Sequence, residues 1–441
     1  MTRPHRAWRL AAAGAAAMLV LTACGGDEDG DGGDTAAEEE TPTGEEEPPQ
    51  AGGEECPAPP AQEGDGELVF GSLLPRTGDL AFLGPPEEAG VQLAVDEMNA
   101  AGGVLGQDVR IVWGDSGDGS PDIAPDETDK LLNAGADAIL GAASSSVSVS
   151  VLDKITSANT LQMSPANTST AFDNCDDNGY YFRTSPSDVL QGAVMADLVA
   201  QDGHSNLAIL FRQEAYGQAL ADNVEKVFTE AGGNVVEKVP YTPEATSWTN
   251  EVQTIAAADP DAIVVIGFEE TTSIVPEMIS NNIGPADKQV YFVDGNLADW
   301  SAEFDPGTLQ GVRGTFPGSE LGAQFRDRLL EADPNLEDFT YGPEAYDATI
   351  LLGLAAIAGE DDSGATLAAN LHAVSSEGTE CGGFEECAGL LEDGEDIDYE
   401  GVSGPINFNQ WGSPSAATIG IYEYKRDNTF ENVDYIQGDI S

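Results

Sequence analysis

One rhythm governs most of this chain. From Glu67 onward, short apolar runs alternate with longer stretches whose apolar residues recur at helical spacing. Leu68–Leu73 reads as a buried strand. Pro86–Ala101 reads as a helix, with Val91, Ala94, Val95 and Met98 on one face and Gly102-Gly103 to end it. The alternation continues through strands Val109–Trp113, Ala138–Gly141, Leu161–Met163, Leu207–Phe211, Val235–Val239, Ala262–Ile266 and Val290–Val293. Helices are expected between them at Ala124–Asn133, Val147–Ser157, Val189–Gln201, Gln218–Ala231, Trp248–Ala258 and Thr272–Asn282. Such alternation predicts an α/β fold of doubly wound parallel sheets, covered by helices on both faces. About ten strands exceed one comfortable core, so two lobes are expected. After Gly311 the pattern turns helical, over Leu321–Glu331, Glu344–Ala358 and Leu367–Val374. A late strand pair is expected around Ile406 and Thr418–Tyr424. A late helical block that returns to the first lobe fits better than two consecutive lobes.

The start of the chain has another texture. Arg3, Arg6 and Arg9 precede an apolar run, Leu10–Leu21, and then Leu21-Thr22-Ala23-Cys24-Gly25. A basic start, a short apolar stretch and small residues are the parts of a secretory signal, here residues 1–23. The run of ~12 residues is too short to span the ~30 Å hydrocarbon core. The cysteine after Leu-Thr-Ala resembles the lipobox of bacterial lipoproteins. That resemblance implies cleavage before Cys24 and a membrane anchor of lipid on its sulfur. There are no paired arginines, which favours general secretion. The protein is thus expected outside the cytoplasm, held to the outer face of the cell membrane.

Residues 24–66 are Gly, Pro, Glu and Asp with almost no large apolar side chains. They cannot bury enough surface to offset ordering entropy, so a disordered acidic tether is expected. Asp27-Glu28-Asp29-Gly30-Asp31-Gly32 with Glu38 matches calcium-loop spacing. Flanking helices are missing and Asp34 stands where an apolar residue belongs, so it reads as a chance match. The net charge is −62, and from Leu68 onward 63 acids face 14 bases. Nucleic-acid binding is excluded, because affinity for phosphate comes from Lys and Arg. A surface adapted to salt would explain the excess.

Beside Cys24 there are four cysteines, Cys56, Cys175, Cys381 and Cys387. An even number outside the cytoplasm suggests two disulfides, for which three pairings exist. Cys381–Cys387 closes a short loop through Gly382 and Gly383, which leaves Cys56–Cys175. The only histidines are His5, His204 and His372, too few for a zinc site with these cysteines. No metal and no cofactor is expected.

A set of distributed motifs carries a family likeness. They are Gly71-Ser72-Leu73-Leu74 with Thr77-Gly78 and Gly84, then Ala89-Gly90, and Ala94-Val95-Asp96-Glu97-Met98-Asn99-Ala100-Ala101-Gly102-Gly103-Val104-Leu105-Gly106. Gly141-Ala142-Ala143-Ser144-Ser145-Ser146, Ser164-Pro165-Ala166-Asn167-Thr168, Phe182-Arg183-Thr184, Tyr216-Gly217, Ile266-Gly267-Phe268 and Val293-Asp294-Gly295 follow. With these the chain resembles the leucine/isoleucine/valine-binding group of type I periplasmic binding proteins, over about residues 67–430. The resemblance implies two lobes joined by a three-strand hinge and closing on a ligand. Lobe 1 would hold residues 67–185 and about 317–400, and lobe 2 residues 186–316 and about 401–441.

It also implies site residues. Ser145 and Thr168 would hydrogen-bond an amino-acid head group, helped by the Ala166 backbone. Tyr216 would act from the second lobe, and Asp294 would pair with the ligand's ammonium. Phe268 stands where some members carry tyrosine, and Leu83 where some carry an aromatic. The residues themselves agree in part. Ser144-Ser145-Ser146 lies between a strand end and a helix start, where free N–H groups and hydroxyls bind carboxylates. Serine there is equally a plain helix cap. Asp294 also follows a strand end, where Asp-Gly is a frequent turn pair. Phe82 reads as core.

No catalytic set assembles. There is no G-x-S-x-G elbow and no phosphate loop ending in Gly-Lys-Ser or Gly-Lys-Thr, and His204 and His372 read as solvated. The expected function is capture of an amino acid or similar small zwitterion for the permease of an ABC importer, by a monomer that is not an enzyme. A ligand sensor, or a binder of short-chain amides, urea or aromatic acids, is the alternative on the same scaffold.

Overall fold

The computed structural model describes residues 56, 58–119 and 122–440. The signal segment, Cys24, the calcium-like run and residues 24–55 of the tether lie outside them.

Five parallel strands form the first sheet: β1 (Val69–Leu74), β2 (Arg110–Asp115), β3 (Ala138–Gly141), β4 (Leu161–Ser164) and β5 (Tyr181–Arg183). Their order is β2-β1-β3-β4-β5. Helices α1 (Gly84–Ala101), α2 (Ala124–Asn133) and α3 (Ser145–Ser157) connect them. The chain then runs through α4 (Asp188–Gln201), β6 (Asn206–Arg212), α5 (Ala215–Glu230), β7 (Asn234–Tyr241), α6 (Thr249–Ala258), β8 (Ala262–Ile266), α7 (Thr271–Ser280), β9 (Gln289–Phe292) and β10 (Arg313–Pro317). Next come α8 (Ala323–Ala332), α9 (Gly342–Gly359), α10 (Gly364–Val374), β11 (Thr379–Cys381), α11 (Phe384–Glu392) and β12 (Ile397–Tyr399). The last elements are β13 (Ala416–Tyr424) and β14 (Phe430–Asp439). The second sheet has the order β14-β13-β10-β9-β8-β6-β7, and β11 pairs with β12 alone.

Both sheets are buried on two faces, which is why their strands read as continuous apolar runs. Phe70 and Leu74 of β1 and Leu140 of β3 enter one core with α1 and α9. Leu73 and Ile139, their neighbours in sequence, enter another with Leu131, Val151 and Ile155. In the second sheet Leu207, Ile209 and Phe211 face one side and Ala208 and Leu210 the other. The late helices α8, α9 and α11 pack on α1. At Gly90 a Cβ would lie 2.3 Å from the Gly342 carbonyl oxygen, so only glycine lets α1 and α9 approach this closely. The chain passes between the sheets three times, at residues 184–187, 318–322 and 400–415.

Four features differ from the sequence reading. The second sheet is mixed rather than parallel, since β13 runs antiparallel to both β10 and β14. A short turn through residues 425–429 joins β13 to β14, and such a turn joins only antiparallel strands. Ile406 is in no strand: its loop makes only isolated bridges, Glu400 to Pro405 and Phe408 to Pro414, at the two prolines. The partner of β13 is β14, an edge strand whose residues are mostly polar and exposed, so it lacks the apolar signature. β10, which begins just after Gly311, and the three-residue β5 are too short or too rich in Gly and Pro to stand out.

The end of the tether is fastened to the folded body. Cys56–Cys175 and Cys381–Cys387 are both bonded. Gly64 N–H donates to Asp361 Oδ2 and Gly66 N–H to Asp362 Oδ2, each at 2.8 Å. Ser363 Oγ donates to the Gln62 carbonyl at 3.1 Å. Backbone donors meeting carboxylates, plus one disulfide, order a stretch whose composition alone predicts disorder.

Candidate functional site

Parallel strands end in loops at their carboxyl ends, where α/β folds gather ligand-binding groups. Gly141 closes β3 with φ +120°, and a Cβ there would sit 2.0 Å from the Leu73 carbonyl oxygen. The loop beyond it is held by Asn167, whose Nδ2 donates to Ala142 O at 2.9 Å and Ala143 O at 2.8 Å. Ser144 is the cap of α3 and accepts from Val147 N–H at 3.5 Å. Ser145 is thereby released from capping. Its buried hydroxyl instead accepts from Ser169 N–H at 3.4 Å.

Asp294 is the centre of a buried hydrogen-bond network. It follows β9 in a short 3-10 turn, Asp294–Asn296, and is buried. Oδ1 accepts from Gln191 Nε2 at 2.9 Å and from Tyr216 OH at 2.7 Å. Oδ2 accepts from Tyr341 OH at 2.8 Å. Burial raises the pKa of this carboxyl, and the three hydrogen bonds restrain the rise. Among the described residues no Lys, Arg or His forms an ion pair with it.

Several buried polar atoms around this point have no hydrogen-bond partner. They are both carboxyl oxygens of Asp188, Gln191 Oε1 and Thr168 Oγ1. Asp188 N–H donates to Thr168 O at 2.7 Å, while Thr168 Oγ1 stands beside the Asp188 carboxyl outside hydrogen-bond geometry. Burial, then the charge of Asp294, pushes Asp188 well above the usual carboxylate range.

An apolar wall completes the space. Leu80, Leu83, Ala143, Ala166, Tyr216, Phe268 and Tyr341 share one buried cluster. Tyr216 and Phe268 stack at 5.7 Å, and the Arg212 guanidinium covers Phe268 at 4.1 Å. Arg212 pairs with Glu270 at 2.8 Å and, across the cleft, with Asp79 at 3.6 Å. Ser169 Oγ donates to Ala215 O at 2.8 Å, another contact between the lobes. A cavity of ≈ 170 Å³, lined by Asp118, Ser146, Arg212, Glu214 and Glu244 among others, opens beside them.

The seven expected site residues therefore have these places. Asp294 and Tyr216 are hydrogen-bonded, and Phe268, Leu83 and Ala166 lie in the wall next to them. Thr168 adjoins Asp188, and Ser145 contacts Ser169 next in the chain. The Ala166 N–H is already engaged by Ser164 Oγ at 3.2 Å, so of its backbone groups only the carbonyl is left to serve a ligand. Asp188, Gln191 and Tyr341 are absent from the sequence reading. Gln191 had a signal: it is polar on the buried face of α4, beside Leu190, Val194 and Met195. Asp188 is hidden behind the common acid at a helix start. Tyr341 precedes Gly342-Pro343, which announces a helix and nothing more.

Two α/β lobes gripping an acidic, donor-poor centre with an apolar wall define a protein that encloses a small solute. Comparison with known proteins agrees. The periplasmic binding protein family matches residues 67–389. The chemotactic signal transduction system substrate-binding protein BasB of Halobacterium salinarum is 28% identical over 77% of this chain and 83% of its own length. Leu/Ile/Val-binding protein homolog 2 of Brucella abortus is 24% identical over 82% of this chain and 91% of its own. Among solved structures, the leucine-binding protein LivK of Thermotoga maritima superposes with TM-score 0.69 at 18% identity, covering 84% of this chain and 98% of that one. A solute-binding protein of R. palustris in complex with 4-hydroxybenzoate also gives 0.69 at 18%, covering 85% and 98%. The chain belongs to the periplasmic binding protein family, with the type I fold of the leucine/isoleucine/valine-binding group. Its relatives are substrate-binding proteins, not enzymes. No helix among the described residues is long and apolar enough to cross a membrane.

Proposed function

We propose that this protein captures an amino acid, of the branched-chain type or a similar small zwitterion, outside the cell membrane and delivers it to the permease of an ABC importer. The observation that carries this reading is the deficit of donors around Asp294. Beside the hydrogen-bonded Asp294, both oxygens of the buried Asp188 carboxyl and Gln191 Oε1 have no donor, and the three N–H groups of an ammonium are what such a set lacks. In this reading Ser145 and the start of α3 would serve the ligand carboxylate, and Leu83, Ala166 and Phe268, which share one buried cluster, would meet its side chain. The lobes, taken as 67–185 with 317–400 and 186–316 with 401–441, close because ligand contacts favour the closed state. Lipid on Cys24 holds a monomer to the outer face of the membrane, and Cys24→Ser would release the chain into the medium. Calorimetry against the twenty amino acids, urea and aromatic acids tests the ligand class. An amino acid bound more tightly than about millimolar, −4.1 kcal/mol, is expected. Binding of aromatic acids alone would overturn it, since they bring no cation to Asp294.

A sensory role is a second reading, favoured by the chemotactic name of the Halobacterium relative. Neighbouring genes for a permease and an ATPase support import. A neighbouring receptor gene in their place supports sensing.

A further inference from the structure

Asp188 is a buried acid whose charge the capture reading leaves uncompensated until a ligand arrives. It opens α4 just after the first crossing between the sheets, and it is fully enclosed. Neither of its carboxyl oxygens has a hydrogen-bond partner. The base facing it, Arg183, is fully engaged elsewhere. Its Nε donates to Ser413 Oγ at 2.8 Å and its Nη1 to Ser169 O at 2.8 Å and Asn167 O at 3.2 Å, while Nη2 pairs with Asp173. The remaining charged or titratable groups facing the site are Asp294, Asp173, Tyr216 and Tyr341. None of these supplies a positive charge. The first turn of α4 favours an anion by less than about 1 kcal/mol, too little against complete burial.

Two carboxyls that face each other in an enclosed space cannot both be charged without a cation between them. We propose that Asp188 and Asp294 act as one carboxyl pair that keeps a shared proton in the ligand-free cleft and gives it to solvent when a ligand ammonium enters. This rests on the amino-acid reading above and deepens it. Asp294 already accepts three hydrogen bonds, so Asp188 holds the proton. The ligand ammonium arrives with three N–H donors, the negative charge of Asp188 becomes worth having, and the proton leaves to water. Capture then discriminates by head-group charge. A carboxylic acid without an amine cannot displace the proton, and an amine can. Affinity should rise with pH by about tenfold per unit while the pair still holds its proton, because one proton is released per ligand bound.

Two measurements on the full chain decide this. Infrared spectra of the ligand-free protein at pH 7 should show the carbonyl stretch of an un-ionised carboxyl, lost in Asp188→Asn. Absence of that band in the parent protein overturns the pair. Titration with L-leucine in phosphate and in Tris, buffers of different ionisation enthalpy, should show close to one proton released per leucine. In Asp188→Asn leucine should bind with no release and with a flat pH profile. Equal heats in both buffers for the parent protein overturn the coupling, and need no variant. If neither leucine nor any other amino acid gives heat, the ligand reading fails, and the infrared band alone then decides whether the carboxyl pair exists.

Discussion

At the scale of single residues, the cleft turns on where carboxyls find donors. Asp294 draws all three of its hydrogen bonds from uncharged groups, so a ligand cation would find its charge available. Asp294→Asn should weaken an amino-acid ligand by ~2–5 kcal/mol, the cost of leaving a buried charge unpaired. Unchanged affinity by calorimetry would remove the ammonium role. Ser145 acts differently from a cap. Its hydroxyl meets Ser169 N–H, so Ser145→Ala leaves a buried donor unmet and should cost ~1–3 kcal/mol in binding or stability. Thermal unfolding alongside calorimetry separates the two. Asp294 was readable from sequence because it follows a strand end, whereas Tyr216 and Phe268 came only from the family resemblance. Asp188 and Tyr341 were not readable, because each stands at a helix start whose ordinary residue preferences conceal a buried function, whereas Gln191 carried an unread signal as a polar residue on the buried face of α4.

At the scale of elements, the long periodic segments were readable almost to the residue. Ala124–Asn133, Ala138–Gly141 and Ala262–Ile266 have the bounds that periodicity predicts. What escaped were strands that owe their place to neighbours: β5, β10 and β14 carry too little apolar pattern of their own. The three crossings between the sheets came from the family resemblance, which implies a three-strand hinge, and not from any local pattern of their own. Thr184, Gly318, Gly404 and Pro414, drawn from all three crossings, line one small cavity with Glu344 of α9. Burial holds the Glu344 carboxyl up to about 8, against an ordinary value of 4.5. Between these values the folded chain keeps a proton that the unfolded chain loses. Stability from this group is therefore full below about 4.5 and falls as pH rises toward about 8. Glu344→Gln should remove that loss, so its melting temperature should gain on the parent protein as pH rises through this window. Parallel pH profiles for the two proteins would show that Glu344 does not sense the hinge environment.

At the scale of the whole molecule, charge dominates. With a net charge of −62, self-repulsion works against the compact state. Raising salt from ~0.1 M to ~1 M shortens the screening length from ~10 Å to ~3 Å, so the melting temperature should climb. A flat or falling curve would show that the acids carry no adaptation to salt. The same acidity leaves the cleft short of bases, with Arg183 and Arg212 both committed to acids of the protein itself. The account therefore stands or falls on a cation held at Asp294 between the closed lobes. A crystal structure of the protein with its bound amino acid tests this most directly. The ligand nitrogen is expected within hydrogen-bond distance of the Asp294 carboxyl, ~2.7–2.9 Å for a charged pair. A ligand whose carboxylate occupies that position, or one seated away from Asp294, would contradict it.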